Sequence, residues 1–160
     1  SVTPENGNII KIIPEKKELG FVGTPKEIDK KVLLRIVREK KVPIIVPLGI
    51  GDDGKIYNIN ADVAAAVIAK EINSRRLLLM TDVEGVLDKN NKLILEINSD
   101  IAKRMLGKGI ISGGMIPKIN TCIDVVENGV TGVVIVNGKK PHSILFELFS
   151  DKGSGTLIRK

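Results

Sequence analysis

Leu77, Leu78, Leu79 and Met80 follow one another without a polar break. A strand running through them has no face to offer water, so both of its faces need cover. Helices packed on a sheet meet that demand, and the rest of the chain supplies them. Lys26 to Lys40 carries Ile28, Val32, Leu33, Ile36 and Val37 at helical spacing. Asn60 to Asn73, Ser99 to Gly107, Met115 to Asn128 and Ser143 to Phe149 also read as helices, the second capped by Asn98 or Ser99.

Strands are expected at Ile9 to Ile13, Leu19 to Gly23, Pro43 to Pro47, Arg75 to Met80, Val83 to Leu87 and Gly132 to Val136. Gly155 to Arg159 reads as a final edge strand. A hairpin turn is expected at Asp53-Gly54, with Lys55 to Ile59 leading away from it. This alternation predicts an α/β fold, a three-layer sandwich with a largely parallel central sheet. Neither a repeat nor a long linker divides residues 1–160, so a single domain is expected.

Only 2% of the residues are aromatic and Trp is absent, so the core must be aliphatic. The net charge of +6 comes from 25 Lys and Arg against 19 Asp and Glu. These cations are scattered, and so few aromatics offer little base stacking, which argues against nucleic acid as a partner. A single Cys122 fits a reducing, cytoplasmic setting and a buried structural thiol. No apolar run has the length of a membrane span, and the opening Ser1-Val2-Thr3-Pro4 is not that of a signal peptide.

Asn58, Asn60 and Asp62 alternate within Asn58-Ile59-Asn60-Ala61-Asp62, just ahead of a helix. On an extended strand they form one polar row beside an electropositive helix end, which suits a binding site. A helix cap explains one of the three but not the row. In Ser112-Gly113-Gly114-Met115-Ile116-Pro117-Lys118, glycines precede a helix and allow a phosphate to approach the backbone. Lys118 would meet charge developing on a transferring phosphoryl group; a plain loop with an exposed lysine fits these residues equally well. Thr81 and Asp82 follow an apolar strand, where open α/β sheets bind ligands, although a polar strand-to-turn junction accounts for them as readily.

Three weaker patterns are set aside. Gly49-Ile50-Gly51-Asp52-Asp53-Gly54-Lys55-Ile56 has the glycines and lysine of a P-loop, but Ile56 stands where a hydroxyl is needed, so a turn is expected. Asp88, Asn90 and Glu96 are misspaced for a calcium loop and read as a solvent-exposed turn. His142, the only histidine, has no metal-binding company.

Asn58 to Asp62, Leu79 to Asp88 and Gly113 to Lys118, in that order, together with His142 to Phe149 and Gly153 to Thr156, resemble the N-acetylglutamate kinases of the amino acid kinase family. The resemblance extends from about Leu19 to Leu157. It implies ATP-dependent phosphorylation of the γ-carboxylate of N-acetylglutamate, in arginine synthesis, with magnesium held mainly by the phosphates and no dedicated metal site. It also implies roles. Asn58 and Asn60 would bind the acetylated substrate, Asp62 would orient catalytic lysines, and Lys118 would stabilise the transferring group. Thr81, Asp82, Gly113, Gly114 and Met115 would serve the nucleotide.

His142, Glu147 and Gly153 match effector positions of the arginine-inhibited branch, whose members are typically hexameric, so a homo-oligomer is implied. The family's Lys-Gly-Gly segment has no match before Leu19. The chain therefore resembles the carboxyl-terminal, nucleotide-binding half, and on its own would be an incomplete, inactive catalytic unit. Two alternatives stay open: a related kinase acting on acetylaminoadipate, and a non-catalytic module binding nucleotide or arginine.

Overall fold

The computed structural model describes residues 1–4, 7, 9–151 and 153–160. They form two compact units, Ser1–Ile72 and Asn73–Lys160.

The first unit contains β1 (Ile10–Pro14), β2 (Gly23–Ile28), α1 (Lys30–Arg38), β3 (Leu48–Ile50), β4 (Ile56–Asn58) and α2 (Ala61–Glu71). Its sheet has the order β2-β1-β3-β4. β1 runs antiparallel to β2 and parallel to β3, and β3 runs antiparallel to β4. Ile9, Ile10, Ile12, Leu33, Tyr57 and Ile59 lead its buried core, as an aliphatic composition requires.

Three expectations fail in this unit. Lys17–Leu19 is a short 3-10 turn rather than the start of a strand, and β2 extends through Ile28, which pairs with Ile10. The helix begins only after Asp29, whose carboxylate accepts the Lys31 N–H at 3.0 Å. Ile28 had the right spacing to join the helix, but the cap set the boundary. Pro43 to Pro47 is not a strand either: Ile45 forms an isolated bridge to Val2, and Ile44 is 68% exposed. Prolines at both ends donate no ladder hydrogen bond, and the strand β3 starts beyond them.

The second unit contains β5 (Arg76–Thr81), β6 (Glu96–Asn98), α3 (Ser99–Gly107), α4 (Met115–Glu127), β7 (Gly132–Asn137), α5 (Ser143–Phe149) and β8 (Gly155–Arg159). Its sheet has the order β5-β7-β8-β6. β5 and β7 are parallel, Arg76 opposite Gly132 through Thr81 opposite Asn137. β8 is antiparallel to β7 and parallel to β6. Val133 to Val136 are each at most 1% exposed, and α4 packs Ile119, Cys122, Ile123, Val125 and Val126 into the same unit's core. Each such side chain contributes about 1.5–3 kcal/mol on burial. Cys122 is buried, as expected of a structural thiol.

The α/β class holds, but the sheets are mixed rather than largely parallel. The antiparallel pairs β1/β2 and β3/β4 follow from short connections that cannot hold a crossover. β8 is interior, not an edge; β5 and β6 are the edges, with Met80 of β5 47% exposed. An unbroken apolar run demands cover on two faces, but it does not fix the number of hydrogen-bonded neighbours. Val83 to Leu87 makes no strand beyond a single bridge from Leu87 to Leu93. The chain turns at Gly85 (φ 144°), and the Val86 N–H goes to the Thr156 side chain. β6 went unread because only Ile97 of its three residues is apolar. Among the described residues no helix is long and apolar enough to cross a membrane.

Candidate active site

In the first unit, Asn58, Asn60 and Asp62 do not share one strand. Asn58 ends β4, Asn60 caps α2 and Asp62 lies in the first turn of α2. Alternation persists only as far as Asn60: Tyr57 and Ile59 are buried, Asn58 and Asn60 exposed. The Asn58 backbone is fixed by its N–H, which donates to the Phe21 carbonyl at 2.8 Å. The Asn60 side-chain oxygen accepts from the N–H groups of Asp62 and Val63, at 3.0 and 3.3 Å. The cap thus accounts for Asn60, while Asp62 places a half-buried carboxylate where the helix dipole favours it.

The hairpin beneath this stretch replaces the P-loop reading. Gly54 donates its N–H to the Gly51 carbonyl at 2.9 Å, and Asp53 accepts from the Lys55 N–H at 3.1 Å and from the Tyr57 hydroxyl at 2.9 Å. No helix starts there to cradle a phosphate. Asp88 likewise closes a turn, accepting from the N–H groups of Asn90 and Lys92 at 2.8 and 2.9 Å.

In the second unit the carboxyl ends of the parallel strands β5 and β7 form a polar rim. Thr81 and Asp82 meet Asn137, Gly138 and Lys139 there. The Gly138 N–H donates to the Thr81 carbonyl at 2.7 Å, and the Lys139 ammonium lies 3.8 Å from the Asp82 carboxylate. Asn137 donates to Glu84 at 2.9 Å. Lys139 and Asp82 are both well exposed, so their pairing contributes little to stability and their charges stay available. Asn137, Lys139 and Glu84 escaped the sequence reading; the β5/β7 register that assembles them is a long-range property.

Beside this rim a cleft of about 230 Å³ opens between the loop after β5 and the segment before α4. Val83, Val86 and Leu87 form one wall; Ile110, Ile111 and Met115 form the other. Asp88, Asn91 and Ser112 supply polar groups. That volume falls below the roughly 300–1,000 Å³ of sites that enclose a drug-sized ligand, so it suits one flat ring system with the remainder outside. Met115 adds a polarizable thioether that packs well on rings. Ile110, Ile111 and Asn91 were missed, having no motif of their own, and Ser112 was read only as the start of the glycine segment.

The same helix that brings Met115 to the cleft carries Lys118 in its opening turns, half-buried. Gly114 is its N-cap, and Gly113 before it has φ 57°. A Cβ at either glycine would meet nothing within 4 Å, so space for a ligand lies directly over the helix start. Helix N–H groups, an open approach and a lysine on one element can hold an anion.

Glu147 and Gly153 are adjacent. The Glu147 carboxylate is buried, accepts the Ser154 N–H at 3.0 Å and lies 3.4 Å from the Arg76 guanidinium. A Cβ on Gly153 would come within 2.7 Å of it. His142 is exposed at the start of α5 with φ 59°, among Leu145, Phe146 and Phe149.

Comparison with known proteins draws these features together. The family model described as the amino acid kinase family matches residues 2–137. The acetylglutamate kinase of Pelagibacter ubique is 55% identical over 159 residues, 99% of this chain and 55% of that protein. That of Brucella canis is 50% identical over 158 residues, 99% of this chain and 52% of its own. The chain therefore spans about half the length of the curated relatives it matches. The solved N-acetylglutamate synthase of Neisseria gonorrhoeae, in complex with coenzyme A and N-acetylglutamate, superposes with a TM-score of 0.89 at 25% identity, over 96% of this chain and 37% of that one. With a family match over most of its length and an α/β fold to go with it, this chain belongs to the amino acid kinase family.

Proposed function

We propose that these residues form the nucleotide-binding portion of an enzyme that phosphorylates the γ-carboxylate of N-acetylglutamate with ATP. The observation that carries this reading is one helix, α4, which lends Met115 to an apolar cleft, presents N–H groups over an open glycine pair and carries Lys118. Relatives named acetylglutamate kinase, half identical across nearly the whole chain, support the choice of acceptor.

In the reaction, a carboxylate oxygen attacks the γ-phosphorus, the bond to the bridging oxygen of ADP breaks, and an acyl phosphate results. Little covalent chemistry falls to the protein, whose task is positioning and charge neutralisation. The cleft takes the base. Gly113 and Gly114 admit phosphate oxygens to the start of α4, and Lys118 meets the charge on the transferring group. Thr81 and Asp82 line the rim beside the nucleotide. Asn58, with Asn60, binds the acetylated acceptor, and Asp62 orients the catalytic lysines. Magnesium would neutralise the phosphates and be held mainly by them.

Regulation by arginine at His142, Glu147 and Gly153, within a homo-oligomer, extends the proposal. Its support is Glu147, a buried carboxylate already beside a guanidinium, that of Arg76. The buried thiol of Cys122 fits a cytoplasmic, reducing setting. The test is hydroxylamine trapping of the acyl phosphate with the full-length protein, ATP and N-acetylglutamate. Trapped product is expected; none with N-acetylglutamate but product with acetylaminoadipate would reassign the acceptor.

A further inference from the structure

Thr156 has no part in the function so far described, yet its hydroxyl is engaged on two sides by backbone groups near the cleft. It is the second residue of β8 and is 0% exposed. Its Oγ1 accepts the Val86 N–H at 2.9 Å and donates to the Ile94 carbonyl at 2.6 Å. The return bond is direct: Ile94 N–H donates to the Val86 carbonyl at 2.9 Å.

An antiparallel residue pair of the hydrogen-bonded kind exchanges two N–H···O bonds. Between Val86 and Ile94 one of the two is direct and the other is relayed through the Thr156 hydroxyl. The hydroxyl is thus inserted as a rung in the neck of the loop between these residues. Beyond the neck, Leu87 bridges Leu93 and the Asp88 N–H donates to the Lys92 carbonyl at 2.9 Å. Gly85 makes room for the insertion, since a Cβ there would lie 2.6 Å from Oγ1.

This neck carries one wall of the cleft: Val83, Val86, Leu87, Asp88 and Asn91 lie on or beside its loop. The opposite wall belongs to α4 and the segment before it. β8 is an interior strand, bonded on both sides, so it is a firm anchor for the neck of this loop. We propose that Thr156 is a positioning residue for the nucleotide, its hydroxyl setting the width of the cleft by holding the Val86–Ile94 neck to β8. The inference rests on the cleft's reading as a nucleotide site.

The hydroxyl, rather than the volume of the side chain, carries this role. Thr156→Val keeps the shape and removes the rung, leaving the buried Val86 N–H and the Ile94 carbonyl without it. Thr156→Ser keeps the rung and removes a methyl group.

The test is titration calorimetry of the 160-residue chain with MgATP, at a temperature where circular dichroism shows every variant folded. A Kd raised about fivefold or more in Thr156→Val, with Thr156→Ser within about twofold of wild type, is the expected result. Equal Kd values for Thr156→Val and wild type would overturn the role, as would a Thr156→Ser variant as weak as Thr156→Val. Should Thr156→Val not fold, amide exchange of Val86 in the wild-type chain decides. Slower exchange with MgATP supports the role, and unchanged exchange overturns it. A wild-type chain that binds no MgATP overturns the nucleotide reading itself and this proposal with it, a result distinct from equal binding by variant and wild type.

Discussion

Tyr57 donates its hydroxyl to the Asp53 carboxylate at 2.9 Å, across the turn between β3 and β4. The pair sits at the base of the strand that ends in Asn58, with the Tyr57 ring 5.5 Å from that of Phe21. Phe21 in turn supplies the carbonyl to which Asn58 donates. The proposed acceptor site is therefore tied to a titratable pair.

Each member shifts the other. The Lys55 N–H, and then the Tyr57 hydroxyl, hold the Asp53 carboxyl below its ordinary value. The hydrogen bond to Asp53, and then burial, push the Tyr57 hydroxyl up. A lowered carboxyl stabilises the fold above its unfolded pKa and ceases to do so as pH falls through the folded one. A raised phenol stabilises the fold below its unfolded pKa, about 10, and ceases to do so as pH rises through the folded one. The hairpin is thus most stable between the two titrations. With one Tyr and no Trp, tyrosinate absorbance reports this site alone. The midpoint should lie above about 10 in the wild type and fall towards it in Asp53→Ala. A midpoint unmoved by that substitution would break the link between the residues.

Asn60 has been given two roles, cap and substrate amide, and substitutions separate them. Asn60→Ala removes the acceptor for the Asp62 and Val63 N–H groups and should cost about 1 kcal/mol. In a chain of this size that is a fall in Tm of roughly 2–4 °C. Asn60→Asp should restore the melting temperature, because a carboxylate caps as well as an amide. If acceptor affinity in the full-length enzyme also returns with Asp, the cap accounts for Asn60 entirely; if affinity stays low, the amide contacts substrate.

What the chain discloses by itself depends on the range of the interactions involved. The helices were legible because their signals are local: Asn98 caps α3 by accepting the Ile101 N–H at 2.8 Å, and Ser143–Phe149 runs as its apolar spacing suggests. Strand pairing was not, because partners are remote: Ile28 joins a strand through Ile10, and β8 becomes interior through β6 and β7. The site divides in the same way. Gly113, Gly114, Met115 and Lys118 fall within six residues and stood out. Asn137 and Lys139 reach the rim only through sheet register, and no short motif announces them; Thr156 lies in a quoted motif, but its bond to Val86 is a long-range one.

Gly114 offers a substitution that separates folding from binding. Its φ of −64° suits any residue, and a Cβ there would meet nothing within 4 Å. Gly114→Ala should therefore change stability by less than about 1 kcal/mol, the small penalty being that of Ala at an N-cap. If phosphates approach the start of α4, the same methyl group stands in their way, and the Kd for MgATP should rise about tenfold or more. Calorimetry beside thermal melting checks both halves. Unchanged affinity would remove the helix start from the phosphate site.

In the proposed function, Lys118 is the residue on which the chemistry turns. Its place in the opening turns of α4, beside the glycine pair, puts a cation where helix N–H groups already favour an anion. A group that meets charge only as the phosphoryl group transfers lowers the barrier more than it strengthens ground-state binding. In the full-length enzyme, Lys118→Ala should then lower kcat about 100-fold or more, while the Kd for MgATP changes less than about tenfold. Lys118→Arg keeps the charge but spreads it over a planar fork, and should recover only part of the rate. Steady-state kinetics with binding measured separately tests this. A loss confined to nucleotide affinity would make Lys118 a ground-state anchor, and an unchanged kcat would remove it from the mechanism.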